Sequence, residues 1–218
     1  MKNILACIAL YWFVACFTAT AGAQNILYDL EDLPFDAQTA LSDMQGGTTA
    51  AFSSLADPGG FKINQSFFFT LTGQVLLSPG GAGQDGIPLI IQFDHRLNSI
   101  TLNFATSDFD PFTLEAFSGG PGGQSVGSIS ETGQIPTDYF VPEGSISFSS
   151  PSLTSFDTVQ LTSSAQDFAV DNISISVIPK AVPEANTCVL LAAGFASLLC
   201  MGWRRVWRAN RNTGNSRH

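Results

Sequence analysis

Through the middle of the chain, apolar and polar residues alternate in short runs. The period of two is plain at Phe67, Phe69 and Leu71, at Leu89, Ile91 and Phe93, and at Ile100, Leu102 and Phe104. Alternation of this kind puts one side of a strand in a core and the other in water. Further strands are predicted at Ile26 to Leu30, Phe112 to Phe117, Ser125 to Ile129, Ser145 to Phe148, Asp157 to Thr162 and Phe168 to Val177. Turn-forming clusters separate them: Asp57-Pro58-Gly59-Gly60, Ser78 to Gly86, Ser118 to Gly123 and Pro142-Glu143-Gly144. Only Ala37 to Met44 hints at a short helix. Many short strands with Gly/Pro punctuation predict an all-β fold, an antiparallel, jelly-roll-like β-sandwich.

One run carries a finer signal. Phe168 and Val170 are apolar on even positions, whereas Ile173, Ile175 and Val177 continue the apolar side on odd ones. A strand changes parity only by inserting a residue, so a bulge is predicted at Asp171-Asn172.

The two ends of the chain break the alternation. Lys2, the apolar stretch Ile4 to Phe17 and the small-residue site Ala21-Gly22-Ala23 have the layout of a secretory signal peptide over residues 1–23. The alternative, a lipoprotein site at Phe13-Val14-Ala15-Cys16, would place an awkward Phe13 in the recognition sequence. Near the C-terminus, Thr187 to Trp203 are 17 uncharged residues. As a helix this run spans roughly 26 Å, and Trp203 and Trp207 extend it to match a hydrocarbon core of about 30 Å. Arg204, Arg205, Arg208, Arg211 and Arg217 follow, while Glu184 precedes it. The positive-inside rule then predicts a membrane span near 187–203, a basic cytoplasmic tail at 209–218 and everything earlier outside.

Between the ends lies a predicted exported domain, residues 24–180. All four cysteines fall outside it, so it folds without a disulfide. It carries seventeen acids against Lys62, Arg96 and Lys180, a net charge of −14. A surface so acidic repels phosphate, which argues against a nucleic-acid partner. Fifteen of the eighteen Phe residues lie here, Trp is absent, and the tyrosines are Tyr28 and Tyr139. The core is therefore built mainly from phenylalanine, and a Trp/Tyr sugar platform is not favoured.

The C-terminal layout, with Val182-Pro183-Glu184, an apolar span and Arg204-Arg205, resembles the PEP-CTERM sorting signal of Gram-negative bacteria; Ala185 replaces the usual second proline. The resemblance covers 181–208. It implies an exosortase-type membrane protease as partner, initial anchoring in the inner membrane, delivery to the cell surface, and association with exopolysaccharide or biofilm matrix. Separately, Asp167 to Ile173 and Tyr28 to Asp32 resemble the closing and opening strands of MAM-like jelly rolls. That resemblance implies that the two strands lie together and that acids on them, Glu31, Asp32 and Asp171, hold a structural cation. Calcium suits such hard oxygens in irregular geometry.

Catalytic motifs fail on context. Gly81-Ala82-Gly83-Gln84-Asp85-Gly86 has G-x-G-x-x-G spacing, but Pro88 and a strand follow it where a dinucleotide site needs a helix. Gly123-Gln124-Ser125-Val126-Gly127 has G-x-S-x-G spacing, yet the domain's one histidine, His95, precedes the serine and no helix follows. Asp108 and Asp110 lack the rest of a calcium loop, and a pair such as Glu115 and Asp138 shows no separation from sequence alone. No catalytic set and no organic cofactor is expected. The sequence thus points to a non-enzymatic cell-surface or matrix protein, with a carbohydrate-binding module or adhesin as the alternative.

Overall fold

The computed structural model describes residues 23–54, 60–78, 87–151, 154–165 and 167–178, together with Gly194. Residues 1–22 of the predicted signal peptide (1–23), the Gly81–Gly86 loop and, apart from Gly194, the sorting tail lie outside the described residues.

Among the described residues eleven strands form: β1 (Gln24–Tyr28), β2 (Leu41–Gln45), β3 (Thr48–Ser54), β4 (Lys62–Gln65), β5 (Gln74–Leu77), β6 (Leu89–Thr106), β7 (Phe112–Ser118), β8 (Gln124–Glu131), β9 (Glu143–Ser149), β10 (Phe156–Ser163) and β11 (Phe168–Val177). All pairings are antiparallel. The fold is an all-β sandwich, as the alternation predicts.

The organising strand is β6, 18 residues long. Its first half pairs with β3 and β10, giving one layer in the order β2-β3-β6-β10-β7-β8. Its second half pairs with β11 and β9, giving the other layer, β4-β5-β11-β6-β9, with β1 beside the end of β11. The crossing point is written in the sequence. Leu89, Ile91, Phe93 and Leu97 are buried on odd positions, and Ile100, Leu102 and Phe104 on even ones. Asp94-His95-Arg96 bow out opposite β10, where Phe156 pairs with Leu97 and Thr158 with Gln92. The expected pair of strands on either side of His95 is therefore one bent strand shared by both layers.

Phenylalanines close the gap between layers. Phe104 of β6 stacks on Phe112 of β7 at 4.5 Å, Phe112 meets Phe168 of β11 edge-on at 5.3 Å, and Phe148 of β9 meets Phe156 of β10 at 5.5 Å. Burying each ring removes enough apolar surface from water to contribute about 2–3 kcal/mol. This accounts for a stable core without disulfides.

The predicted bulge in β11 is present. Asp171 pairs with Asn103 and Ser174 with Thr101, so one extra residue sits between, and Asn172 adopts φ 52°. Two other expectations need correction. Ala37 to Met44 forms no helix but leads into strand β2, because the edge of β3 offers it a partner. Phe67 to Leu71 is not a strand but the loop between β4 and β5, and two of its aromatic rings point into water.

Candidate functional site

That β4–β5 loop departs from what a stable sandwich needs. It carries three consecutive phenylalanines, with Phe67 63% and Phe69 57% exposed. Rings this exposed gain little burial energy; Leu71 and Phe68 seat the loop on Val75, Ala105 and Ala169, and the rest of its hold is polar. Within the loop, Ser66 N–H donates to Gly73 O at 2.7 Å, the Ser66 hydroxyl donates to Leu71 O, and Phe68 N–H donates to Ser66 Oγ.

Three carboxylates from three separate elements then take its backbone N–H groups. Glu143, buried at the start of β9, accepts from Phe69 N at 2.8 Å and from Thr70 N and Thr70 Oγ1 at 2.6 Å each. Asp171, at the β11 bulge, accepts from Thr72 N at 3.2 Å. Glu31, after β1, accepts from Gln74 N at 2.8 Å. Gly73 makes the last contact feasible: its φ is 73°, and a Cβ there would stand 1.6 Å from Glu31 Oε1. Charge-assisted bonds of this kind are roughly twice as strong as neutral ones, so the three acids act as a clamp.

The expected cation ligands are thus partly brought together. Glu31 and Asp171 converge on one loop, where backbone N–H groups face them, and Asp32 is exposed in the turn beside Glu31. Asp171 also accepts from Asn172 N at 2.6 Å and Asn172 Nδ2 at 2.8 Å. Among the described residues, no three His, Cys, Asp or Glu side chains gather as a metal-holding group. Burial pushes the Asp171 carboxyl up to about 6 against those N–H bonds, and the charges of Glu31 and Asp29 add to the rise.

Around the loop lies a cleft of about 210 Å³. Phe67 and Phe68 form one wall and Val141 of the β8–β9 loop another; Ser78, Ser107 and Asp167 supply polar groups. Phe69 packs against Tyr139 with ring centres 5.1 Å apart, so the aromatic edge continues from one loop to the other. Phe140, 93% exposed, follows on that loop, and Phe109, 56% exposed, stands in the loop after β6. The polar groups are ordered by one another. Ser107 Oγ accepts from Asp167 N at 3.1 Å, Ser78 Oγ accepts from Phe168 N at 3.0 Å, and Ser78 donates to Asp167 Oδ1 at 3.4 Å.

Of the two tyrosines among the described residues, only Tyr139 lies at this edge. Tyr28 is fully buried against Phe93 and donates to Thr48 O at 2.9 Å, so it is no platform for a ligand. The catalytic look-alikes are likewise accounted for. Ser125 sits on strand β8 and donates to Glu115 at 2.8 Å, while His95 pairs with Asp94 at 2.7 Å. Among the described residues no hydrogen bond joins Ser125 to His95. Asp108 accepts from Phe109 N in its own turn.

No protein-family model matches the chain, and no curated protein matches it. Solved structures similar in shape include the K1 cleaved adhesin domain of Lys-gingipain from Porphyromonas gingivalis: 11% identity over 72% of this chain and 99% of that one, TM-score 0.46. The K2 cleaved adhesin domain of Lys-gingipain shows 14% identity over 71% and 98%, TM-score 0.49. CsCBM6-3 from Clostridium stercorarium, solved in complex with cellobiose, shows 18% identity over 66% and 93%, TM-score 0.38. Likenesses at this level transfer neither a ligand nor a site.

Proposed function

We propose that this chain is an exported, non-catalytic binding module of the cell surface or extracellular matrix, and that its ligand is a polysaccharide held at the aromatic cleft. The observation that carries the reading is the clamped loop: phenylalanines held out in water by three carboxylates that could otherwise have stayed solvated. Seating Leu71 and Phe68 on Val75, Ala105 and Ala169 benefits the fold, but holding Phe67 and Phe69 in water adds little to it. Holding them there pre-organises a surface for a ligand, which lowers the ordering cost on binding. A pyranose fits the mixture found here, since its C–H face stacks on a ring while its hydroxyls need partners such as Ser78, Ser107 and Asp167. Few polar groups set among apolar walls is the usual composition of a ligand site.

The address rests on the sequence. The signal-peptide layout and the tail built on Val182-Pro183-Glu184 and Arg204-Arg205 support export, transient anchoring and handling by an exosortase-type protease. Fractionating the host with and without that protease tests this part; a protein equally soluble in the periplasm of both strains removes it. Retention on polysaccharide gels tests the binding part. The wild-type chain is expected to be retarded by at least one host exopolysaccharide, and Phe69→Ala and Tyr139→Ala to run freely. Equal retardation of all three, and of Phe67→Ala, which lines the cleft itself, would remove the cleft and its aromatic edge as the site.

A further inference from the structure

Resting on the glycan reading above, we infer that the cleft takes neutral or amino-bearing pyranose chains and excludes uronate, sulfated or phosphorylated ones. The selecting group is Asp167. It lines the cleft just before β11, and its Oδ2 accepts no hydrogen bond among the described residues, while Oδ1 has only the long contact from Ser78. A carboxylate is an acceptor without a proton to give. It can take a hydrogen bond from a sugar hydroxyl or ammonium, but it can only repel another carboxylate, sulfate or phosphate.

The surroundings reinforce that sign. Asp108 and Asp110 lie on the loop that leaves the cleft after Ser107, and Asp138 precedes Tyr139 on the opposite loop. Among the described residues no basic side chain lines the cleft. The exported domain has only three bases to offer. Lys62 is engaged by Asp36 at 3.3 Å, Arg96 sits in the bend of β6, and Lys180 lies beyond β11. An anionic chain laid on the aromatic edge would therefore meet several negative charges and no counter-charge. Two unit charges about 4 Å apart in water differ by roughly fivefold in binding for each such pair, and more where the cleft excludes water.

The test uses the full chain in nanodiscs, titrated with a neutral β-glucan, a partly deacetylated chitin oligosaccharide and polygalacturonate, at low and high salt. Neutral and amino-bearing chains are expected to bind, the amino-bearing chain at least as tightly as the neutral one. Polygalacturonate should bind at least about fivefold more weakly at low salt, with the gap narrowing as salt rises. Asp167→Asn, which keeps the side chain's size, should narrow the gap at low salt and leave the melting temperature unchanged. Polygalacturonate bound as tightly as the glucan, or a gap unaffected by Asp167→Asn, overturns this inference while leaving the glycan reading intact. If none of the three chains binds in a Phe69-dependent way, the glycan reading itself falls, and this inference with it.

Discussion

Two sets of phenylalanines divide this molecule. Phe104, Phe112 and Phe168 are buried between the layers and hold each other edge and face. Phe67 and Phe69 are the same residue type, in the loop that leads into β5, yet stand more than half exposed. The first set is held by exclusion of water and needs no polar help. The second is held by backbone N–H bonds to Glu143, Asp171 and Glu31, in spite of the hydrophobic effect. Where three acids fix a loop whose aromatic rings stay in water, those rings add little to stability, and in the proposed function they serve recognition.

That contrast can be broken most forcefully from the core side. Phe112→Ala is expected to cost about 3–5 kcal/mol, by lost transfer energy and the cavity left between Phe104 and Phe168. Set against a total stability of roughly 5–15 kcal/mol, urea denaturation should show either a large fall in midpoint or an unfolded chain. A loss under about 1 kcal/mol would mean the layers do not depend on these rings. Glu143→Ala should cost less, about 1–3 kcal/mol, because it leaves the N–H groups of Phe69 and Thr70 without their acceptor. On the proposed function it should also weaken polysaccharide retention as much as removal of Phe69 does, although Glu143 is buried beneath the proposed binding surface.

Asp171 supplies a pH test of the clamp. Its folded pKa, about 6, lies above the ordinary 3.8, so between those values the folded state holds the proton more tightly than the unfolded one. The contribution of this group to stability therefore rises as pH falls from about 6 toward 4, and is lost as pH rises through 6. The melting temperature of wild type minus that of Asp171→Asn should shift in favour of wild type between pH 7 and pH 5. A difference independent of pH would mean the carboxyl titrates normally. Chelator is a smaller perturbation still: with N–H donors facing Glu31 and Asp171, EDTA is expected to leave the midpoint unchanged. A clear fall on chelation would instead place a cation with Glu31, Asp32 and Asp171.

How much of this was legible beforehand depends on range. The bulge in β11 could be read because parity is local: Val170 and Ile173 cannot share a side of one regular strand. The path of β6 was half legible, since Leu89 to Phe93 and Ile100 to Phe104 show their alternation but not that one strand serves two layers. Strand β3 was missed because Thr48 to Ser54 offers little contrast beyond Phe52. The aromatic loop was misread for the opposite reason. Phe67, Phe69 and Leu71 alternate well, and the signal against a strand was Phe68 between them, which would put large apolar groups on both sides of an edge hairpin. Glu143 was out of reach, because its partners Phe69 and Thr70 lie 74 and 73 residues away. Within Pro142-Glu143-Gly144 it looked like a residue of a turn.

The most direct measurement pairs stability with binding in one variant, Phe67→Ser/Phe69→Ser. The account predicts a denaturation midpoint within about 0.5 kcal/mol of wild type, as for surface substitutions, together with loss of retention on the bound polysaccharide. A large fall in stability, or retention that survives the loss of both rings, would contradict it.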